Sequence, residues 1–264
     1  MKYQKWSALA LWLWLISGQA VQASEEITLY TYHNHPPFIN QPGEGLSYDL
    51  ADLLSEQSAG AFQFTVKVVP RSRLNVMLKS WVNGECIGEP RCTRNWVVPW
   101  VNQKWGFGKA PEQNFSWTPL LEDSNVIVSR SDAPVEYRQP SDLDGKRFAG
   151  IGGHRYVGID ERAEAGKITR INGTKERDNL IILARGRVDA TLLPASTYRY
   201  YLKQDRQLAA LSSRLYRAKQ PHQAYTRNLM ASGDQQKLNS LLTSLRLQQN
   251  SGWHELLDRY GLVD

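Results

Sequence analysis

Cysteine is nearly missing from this chain of 264 residues: only Cys86 and Cys92 occur, in the stretch CIGEPRC. Two thiols exclude a multiply stapled scaffold and a four-thiolate zinc site. Their spacing fits one small disulfide loop in an oxidising compartment, contributing roughly 2 kcal/mol in the chain-entropy model. Half of a metal site is the alternative, but there is no second cysteine pair and no local histidine. Runs of basic residues are also absent. The formal charge of +6 is scattered along the chain, which is not the footprint of a nucleic-acid binder. No Gly-x-Ser-x-Gly elbow, His-Glu-x-x-His pair or Walker loop occurs, so the commonest hydrolase, metalloprotease and nucleotide-binding chemistries have no support. Beyond residue 16 no stretch is apolar enough to cross a bilayer.

What is present begins with a leader. MKYQKW carries two lysines and no acid, ALALWLWLI is a short apolar run, and Val21-Gln22-Ala23 is a small-residue cleavage pattern. Together they read as a secretory signal peptide over residues 1–23, cut after Ala23. An uncleaved anchor is the alternative, but the run is only about half a span. Cleavage leaves 264 − 23 = 241 residues, and loss of Lys2 and Lys5 lowers the charge from +6 to +4. That length suits one large domain or two lobes.

The mature chain alternates strand and helix signals. Residues 27–32 alternate as a strand and the prolines end it. LSYDLADLLSEQSAG has helical spacing, with Ser47 as N-cap and Gly60 as terminator. FQFTVKVVP is a second strand, and SRLNVMLKSWVNGE a second helix. This β-α-β-α opening predicts an α/β fold with a parallel sheet. Residues 86–117 break the rhythm, and no clear helix or long strand is expected there. LLEDSNVIVSR then reads as a strand. KRFAGI is another strand, followed by a glycine turn, GGHR, that opens a helix. Such a unit aims backbone N–H groups and a helix N-terminus at one spot, a candidate anion site around His154 and Arg155. KITRING, a helix capped by Thr174, the strand DATLLP and the helix ASTYRYYLKQ follow. Two amphipathic helices, with Leu238, Leu241, Leu242 and Leu245 and then Trp253, Leu256, Leu257 and Tyr260, close the chain.

In order and spacing these segments resemble periplasmic solute-binding proteins of family 3, the amino-acid-binding-like group. HPPFIN…GLSYDLADLLSEQ is similar to the first strand, its proline-aromatic lip and a glycine-led helix. VPRSRLNVML is similar to the arginine-bearing helix start, and NFSWTPLLEDSNVIVSR to the Phe-Ser-x-Pro crossing strand. GRVDATLLPASTYRYYL resembles the Gly-Arg-x-Asp-Ala segment of the second lobe. The resemblance covers essentially the whole mature chain. It implies a two-lobed periplasmic-binding-protein-like fold of type II, with two crossing strands as hinge. Lobe 1 is expected over residues 24–122 and 223–264, and lobe 2 over 123–222. Ligand would bind in the cleft between them.

Two departures bear on the ligand. Members carry a Thr-x-x-Arg segment whose arginine clamps an α-carboxylate, yet no arginine lies between Arg94 and Arg130 here. Members also place an aspartate five residues after the Gly-Arg-x-Asp aspartate. Counting from Asp189 gives Pro194. The resemblance therefore implies a small polar or anionic solute other than an ordinary α-amino acid.

His33 and His35 alternate on a strand end, so both could reach one ion, but a zinc site needs further ligands and none is suitably spaced. The other readings are the lip of the cleft and a solvated loop. No metal and no cofactor is expected. Tyr32, His33 and Phe38 are expected to line the cleft. Of Arg71 and Arg73, the family match favours Arg73 as an anion contact, a surface arginine being the alternative. Trp100 and Trp117 are candidates to stack on a flat ligand, against the reading of Trp81, Trp96, Trp100, Trp105 and Trp117 as core. His154, Arg155 and Thr174 are the candidates from lobe 2. The expected function is that of an exported, non-catalytic, monomeric binding protein in the periplasm, serving an inner-membrane ABC-type importer or a sensor. The alternative is a periplasmic lyase on the same fold, resembling cyclohexadienyl dehydratase.

Overall fold

Ile27 and Leu29 face one side of strand β1 (Glu25–Thr31) and Tyr30 the other, and all three are buried. A strand apolar on both faces belongs inside a sheet covered by helices on both sides, and that is the architecture found. The computed structural model describes residues 23–82, 94–106 and 114–263. The leader up to residue 22 and the Cys86–Cys92 loop lie outside the described residues.

After β1 come α1 (Leu46–Gln57), β2 (Phe62–Val68), α2 (Arg71–Val82) and β3 (Trp96–Val101). The long β4 (Phe115–Arg130) leads to β5 (Arg147–Ile151), α3 (Ile159–Glu164), β6 (Thr169–Gly173), α4 (Glu176–Ala184) and β7 (Ala190–Pro194). Helices α5 (Ala195–Gln204) and α6 (Arg206–Leu211) and strands β8 (Leu215–Arg217) and β9 (Gln223–Ser232) follow, then α7 (Gln236–Leu245) and α8 (Ser251–Arg259). One sheet runs β2-β1-β3-β9-β4-β7-β5-β6, with β8 pairing β4. The pairs β1–β2, β1–β3, β5–β6 and β5–β7 are parallel, whereas β9 is antiparallel to β3 and β4.

Strands β4 and β9 hold the two ends together. Residues 115–125 of β4 pair with β9, and its residues 125–129 pair with β7. In the first half, Ile27, Leu29, Leu50, Leu54, Trp100 and Trp253 form one core beneath α1, α7 and α8. Leu74, Leu78, Trp96, Val98 and Phe115 form another beneath α2. In the second half, Val126 and Val128 pack towards α4–α6, and Ile127 towards Phe148, Tyr156 and Ile159. Each fully buried Leu, Ile or Phe contributes on the order of 1.5–3 kcal/mol.

Several local readings need correction. β3 was not expected, because WVVPWV is buried throughout and so shows no alternation. Gly45, not Ser47, is the N-cap of α1, and the Ser47 hydroxyl instead accepts from Trp100 Nε1 at 2.9 Å. Lys175, not Thr174, precedes α4, and no side chain caps that helix. The glycine turn does not open a helix: α3 begins only at Ile159, and Glu161 fills its N-terminus by accepting from Gly158 N at 2.6 Å. The crossing strand starts at Phe115, as the resemblance implies and five residues before the strand read from LLEDSNVIVSR.

Gly45 has φ 130, and a Cβ there would stand 2.7 Å from the Phe38 carbonyl oxygen. The glycine lets α1 start directly against the 36–40 turn. Gly43 also has positive φ but nothing within 4 Å of a Cβ. Gly45→Ala is therefore expected to destabilise the fold by more than Gly43→Ala, whose strain is about 1–2 kcal/mol. Urea midpoints of the two variants check the order.

Candidate functional site

The end of β1, the start of α2, the end of β3 and the middle of β9 converge where the two halves meet. The chain leaves β1 at Thr31, whose hydroxyl accepts from His33 N at 3.2 Å. The His33 ring is then enclosed by aromatic rings: Tyr32 at 4.2 Å, Phe38 at 5.3 Å, His35 at 5.7 Å and Trp105 at 6.2 Å between centroids. His33 is 8% exposed. Its Nε2 has no hydrogen-bond partner among the described residues. Burial, then the charges of Arg227, His35 and Arg71, hold its pKa well below the ordinary 6.5 against the opposing pull of the Trp100 carbonyl, so the ring is neutral. Burial likewise lowers His35, opposed by the nearby Glu176 carboxylate from the second half.

Arg227 is the residue that sequence reasoning missed. It stands on β9 with its side chain 1% exposed, paired to the 0% exposed Asp123 side chain on β4 through Nε at 2.6 Å. Nη1 donates to the Trp100 carbonyl at 3.1 Å and Nη2 to the Tyr225 hydroxyl at 3.2 Å. The guanidinium also lies over the rings of Phe38 at 4.7 Å, Tyr225 at 5.2 Å and Trp105 at 5.7 Å. Asp123 in turn accepts from Ser196 N at 3.0 Å and Ser196 Oγ at 2.7 Å, at the start of α5. The only hint in the sequence is a lone arginine entering the apolar run of β9, in YTRNLMAS.

Arg71, not Arg73, is the inner arginine of its pair. Its Nη1 donates to the Tyr32 hydroxyl at 2.8 Å, Nη2 to the Trp105 carbonyl at 2.9 Å and Nε to Asn75 Oδ1 at 2.9 Å. Arg73 is exposed. Two positions along a helix is a rotation of about 200°, so the two side chains cannot share a face.

Trp100, a candidate to stack on a ligand, packs inside the core of the first half. It is wholly buried, with Phe38 at 4.9 Å and Trp253 stacked at 6.1 Å. β3 is irregular between Val98 and Val101, and Trp100 has φ 68, a strained value for a bulky residue. The irregularity turns the indole into the core and the carbonyl towards Arg227. Phe38 is equally buried and forms the floor beneath His33. Trp117 packs with Phe115 on the α2 side, six residues or about 20 Å along β4 from Asp123.

The second half closes over the 32–38 turn. Thr197 Oγ1, in the first turn of α5, donates to the Pro36 carbonyl at 3.1 Å. His154 is exposed, and its charge, like that of Glu176, is felt at His35. Arg155 reaches outwards to Glu161 at 3.2 Å with 78% of its side chain exposed. Thr174 is exposed just beyond β6. Tyr32, His33 and Phe38 are thus gathered into one cluster, with Trp100 packed against Phe38, while Arg73, Trp117 and Arg155 stand apart from it. No cluster of three or more metal-ligating side chains occurs among the described residues, and none of their helices is long and apolar enough to cross a membrane.

Arg227→Met alone leaves Asp123 buried without its partner and is expected to cost about 3–5 kcal/mol, with the Asp123→Leu, Arg227→Met double variant costing clearly less. Denaturant unfolding of both variants checks this. Because folded His33 and His35 bind protons less readily than unfolded ones, the unfolded state takes up more protons below pH 6.5. Stability should fall as pH drops through 6.5 and level off below the folded pKa values, and His33→Gln should reduce that slope.

No family model matches the chain, and no curated protein matches it in sequence. Solved structures do. A mutant of ArgBP from T. maritima is 17% identical, with 89% of this chain and 94% of that chain covered at a TM-score of 0.58. The GluR0 ligand-binding core from Nostoc punctiforme in complex with L-glutamate is 17% identical, covering 89% and 98% at a TM-score of 0.57. A double mutant of the VFT2 domain of Bordetella pertussis BvgS is 17% identical, covering 89% and 93% at a TM-score of 0.56. The likeness extends over nearly the whole of each relative and agrees with the two crossing strands described above. The chain has the two-lobed α/β fold of the type II periplasmic binding proteins.

Proposed function

We propose that this chain is an exported solute-binding protein that captures a small polar or anionic solute between its two lobes. It would serve an ABC-type importer or a periplasmic sensor. The observation that carries the reading is the cluster around His33: a neutral, buried imidazole with an unpartnered Nε2, walled by aromatic rings where the halves meet. Buried polar atoms are nearly always paired, so this one is suited to a ligand's hydrogen-bond donor. The division into lobes at 24–122 with 223–264, and 123–222, is supported by β4 and β9 being the strands that connect the two halves of the sheet. Contacts are proposed from Tyr32, His33, Arg71 and Trp105 on one side and from His154 and Thr174 on the other.

Structural relatives are described with arginine or L-glutamate bound. An ordinary α-amino acid is not the favoured ligand here. The arginine expected before the crossing strand is missing, and Pro194 stands where the ammonium-binding aspartate is expected. The arginine that the fold does bring to the cluster, Arg227, is already committed to Asp123, Tyr225 and the Trp100 carbonyl.

The test is a thermal-shift screen of the full chain against amino acids, organic acids and sugars, followed by calorimetric titration of each hit. One class is expected to raise the melting temperature saturably without turnover. His33→Ala should weaken that binding about ten-fold, as for a lost hydrogen bond in a buried site, and a chelator should change nothing. Turnover of a bound acid, or no stabilisation by any class, overturns the proposal.

A further inference from the structure

At the far end of β4 from the cleft, three arginines line a second hollow. Arg130 ends β4, Arg185 follows α4, and Arg214 lies in the turn before β8. With Ser131, Asp132 and Gly186 they border a cavity of about 320 Å³. Seven residues of strand separate Arg130 from Asp123, about 23 Å, so this hollow is distinct from the cleft and does not rest on the binding reading above.

The hollow is held in shape by its own bonds. Arg130 grips Asp132 through Nε at 2.8 Å and again through Nη2. Its Nη1 lies where a Cβ at Gly186 would come within 2.8 Å, so the glycine makes room for the guanidinium. Ser131 donates through N to the Arg214 carbonyl at 3.0 Å and through Oγ to the Ser213 carbonyl at 2.8 Å, fixing the turn against β4. The Arg130 hydrogen bonds hold the Asp132 carboxyl below its ordinary range, and the Arg214 charge adds to that pull.

Charge is not balanced here. Three arginines and one aspartate border the hollow, a formal +2, and the neighbouring Arg147 and Asp189 neutralise each other. The Arg185 and Arg214 side chains make no hydrogen bond or ion pair with any described residue. The C-terminal dipole of α4 accounts for a cation at Arg185, but not for Arg130 and Arg214 arriving at the same place from two other segments. Forked guanidiniums match tetrahedral oxyanions, and a dianion neutralises the excess. We infer that this hollow binds a phosphate-type dianion, free or as a phosphomonoester, through Arg130, Arg185 and Arg214.

Calorimetric titration of the full chain with inorganic phosphate, against sodium chloride of matched ionic strength, tests the site. Saturable heat is expected with phosphate alone. The Arg185→Ala, Arg214→Ala double variant, both positions being exposed, should keep its circular dichroism and bind phosphate at least about ten-fold more weakly. Vesicles of phosphatidylcholine with and without phosphatidic acid separate the two sources of a phosphate group. Phosphate binding without sedimentation on the acidic vesicles assigns a soluble ligand, and binding to both assigns a headgroup as well. Equal responses to phosphate and chloride, or equal affinity in the wild type and the double variant, overturn the inference.

Discussion

The ion pair between Arg227 and Asp123 ties together everything around the hinge. Both side chains are sealed from water, where an unpaired charge is costly and a paired one demands further hydrogen bonds. Those bonds come from four directions: β4 through Asp123, β3 through the Trp100 carbonyl, β9 through Tyr225, and α5 through Ser196. Each partner belongs to a different element, so satisfying one arginine aligns the two crossing strands with the last strand of the first half and the first helix after β7.

Strain at Trp100 is part of the same arrangement. A tryptophan at positive φ is unfavourable by itself, and it persists because both of its ends are used. The indole is buried between Phe38 and Trp253 and donates to Ser47, while the carbonyl receives Arg227. Phe38 then serves as floor for His33 and as a face for the guanidinium. The core of the first half, the hinge pair and the polar cluster are one packed unit, which is why the 32–38 turn depends on residues far from it in sequence.

Much of the fold could be read in advance, for a simple reason. β1, β2 and α1 show their periods openly, and Gly45 sits where a chain must turn tightly. β3 could not be read, because a strand buried on both faces loses the alternation that reveals strands. Of the site, the 32–38 turn was legible as aromatic and polar groups crowded beside prolines. The family match favoured Arg73 over Arg71, and helical phase reversed that order, assigning Arg71 to the cluster and Arg73 to solvent. Trp100 and Trp117 were plausible stacking residues by type; packing encloses Trp100 and leaves Trp117 half-buried.

What the amino-acid order determined by itself is local. It set which segments are strands and helices, and where glycine and proline interrupt them. Tertiary structure alone decided which charges meet. Arg227 and Asp123 lie 104 residues apart, and neither neighbourhood marks its residue as special. Local propensity acts over a few residues, whereas burying an ion pair is a property of the surrounding medium. That medium, a dry junction between two crossing strands, exists only once the whole chain has folded.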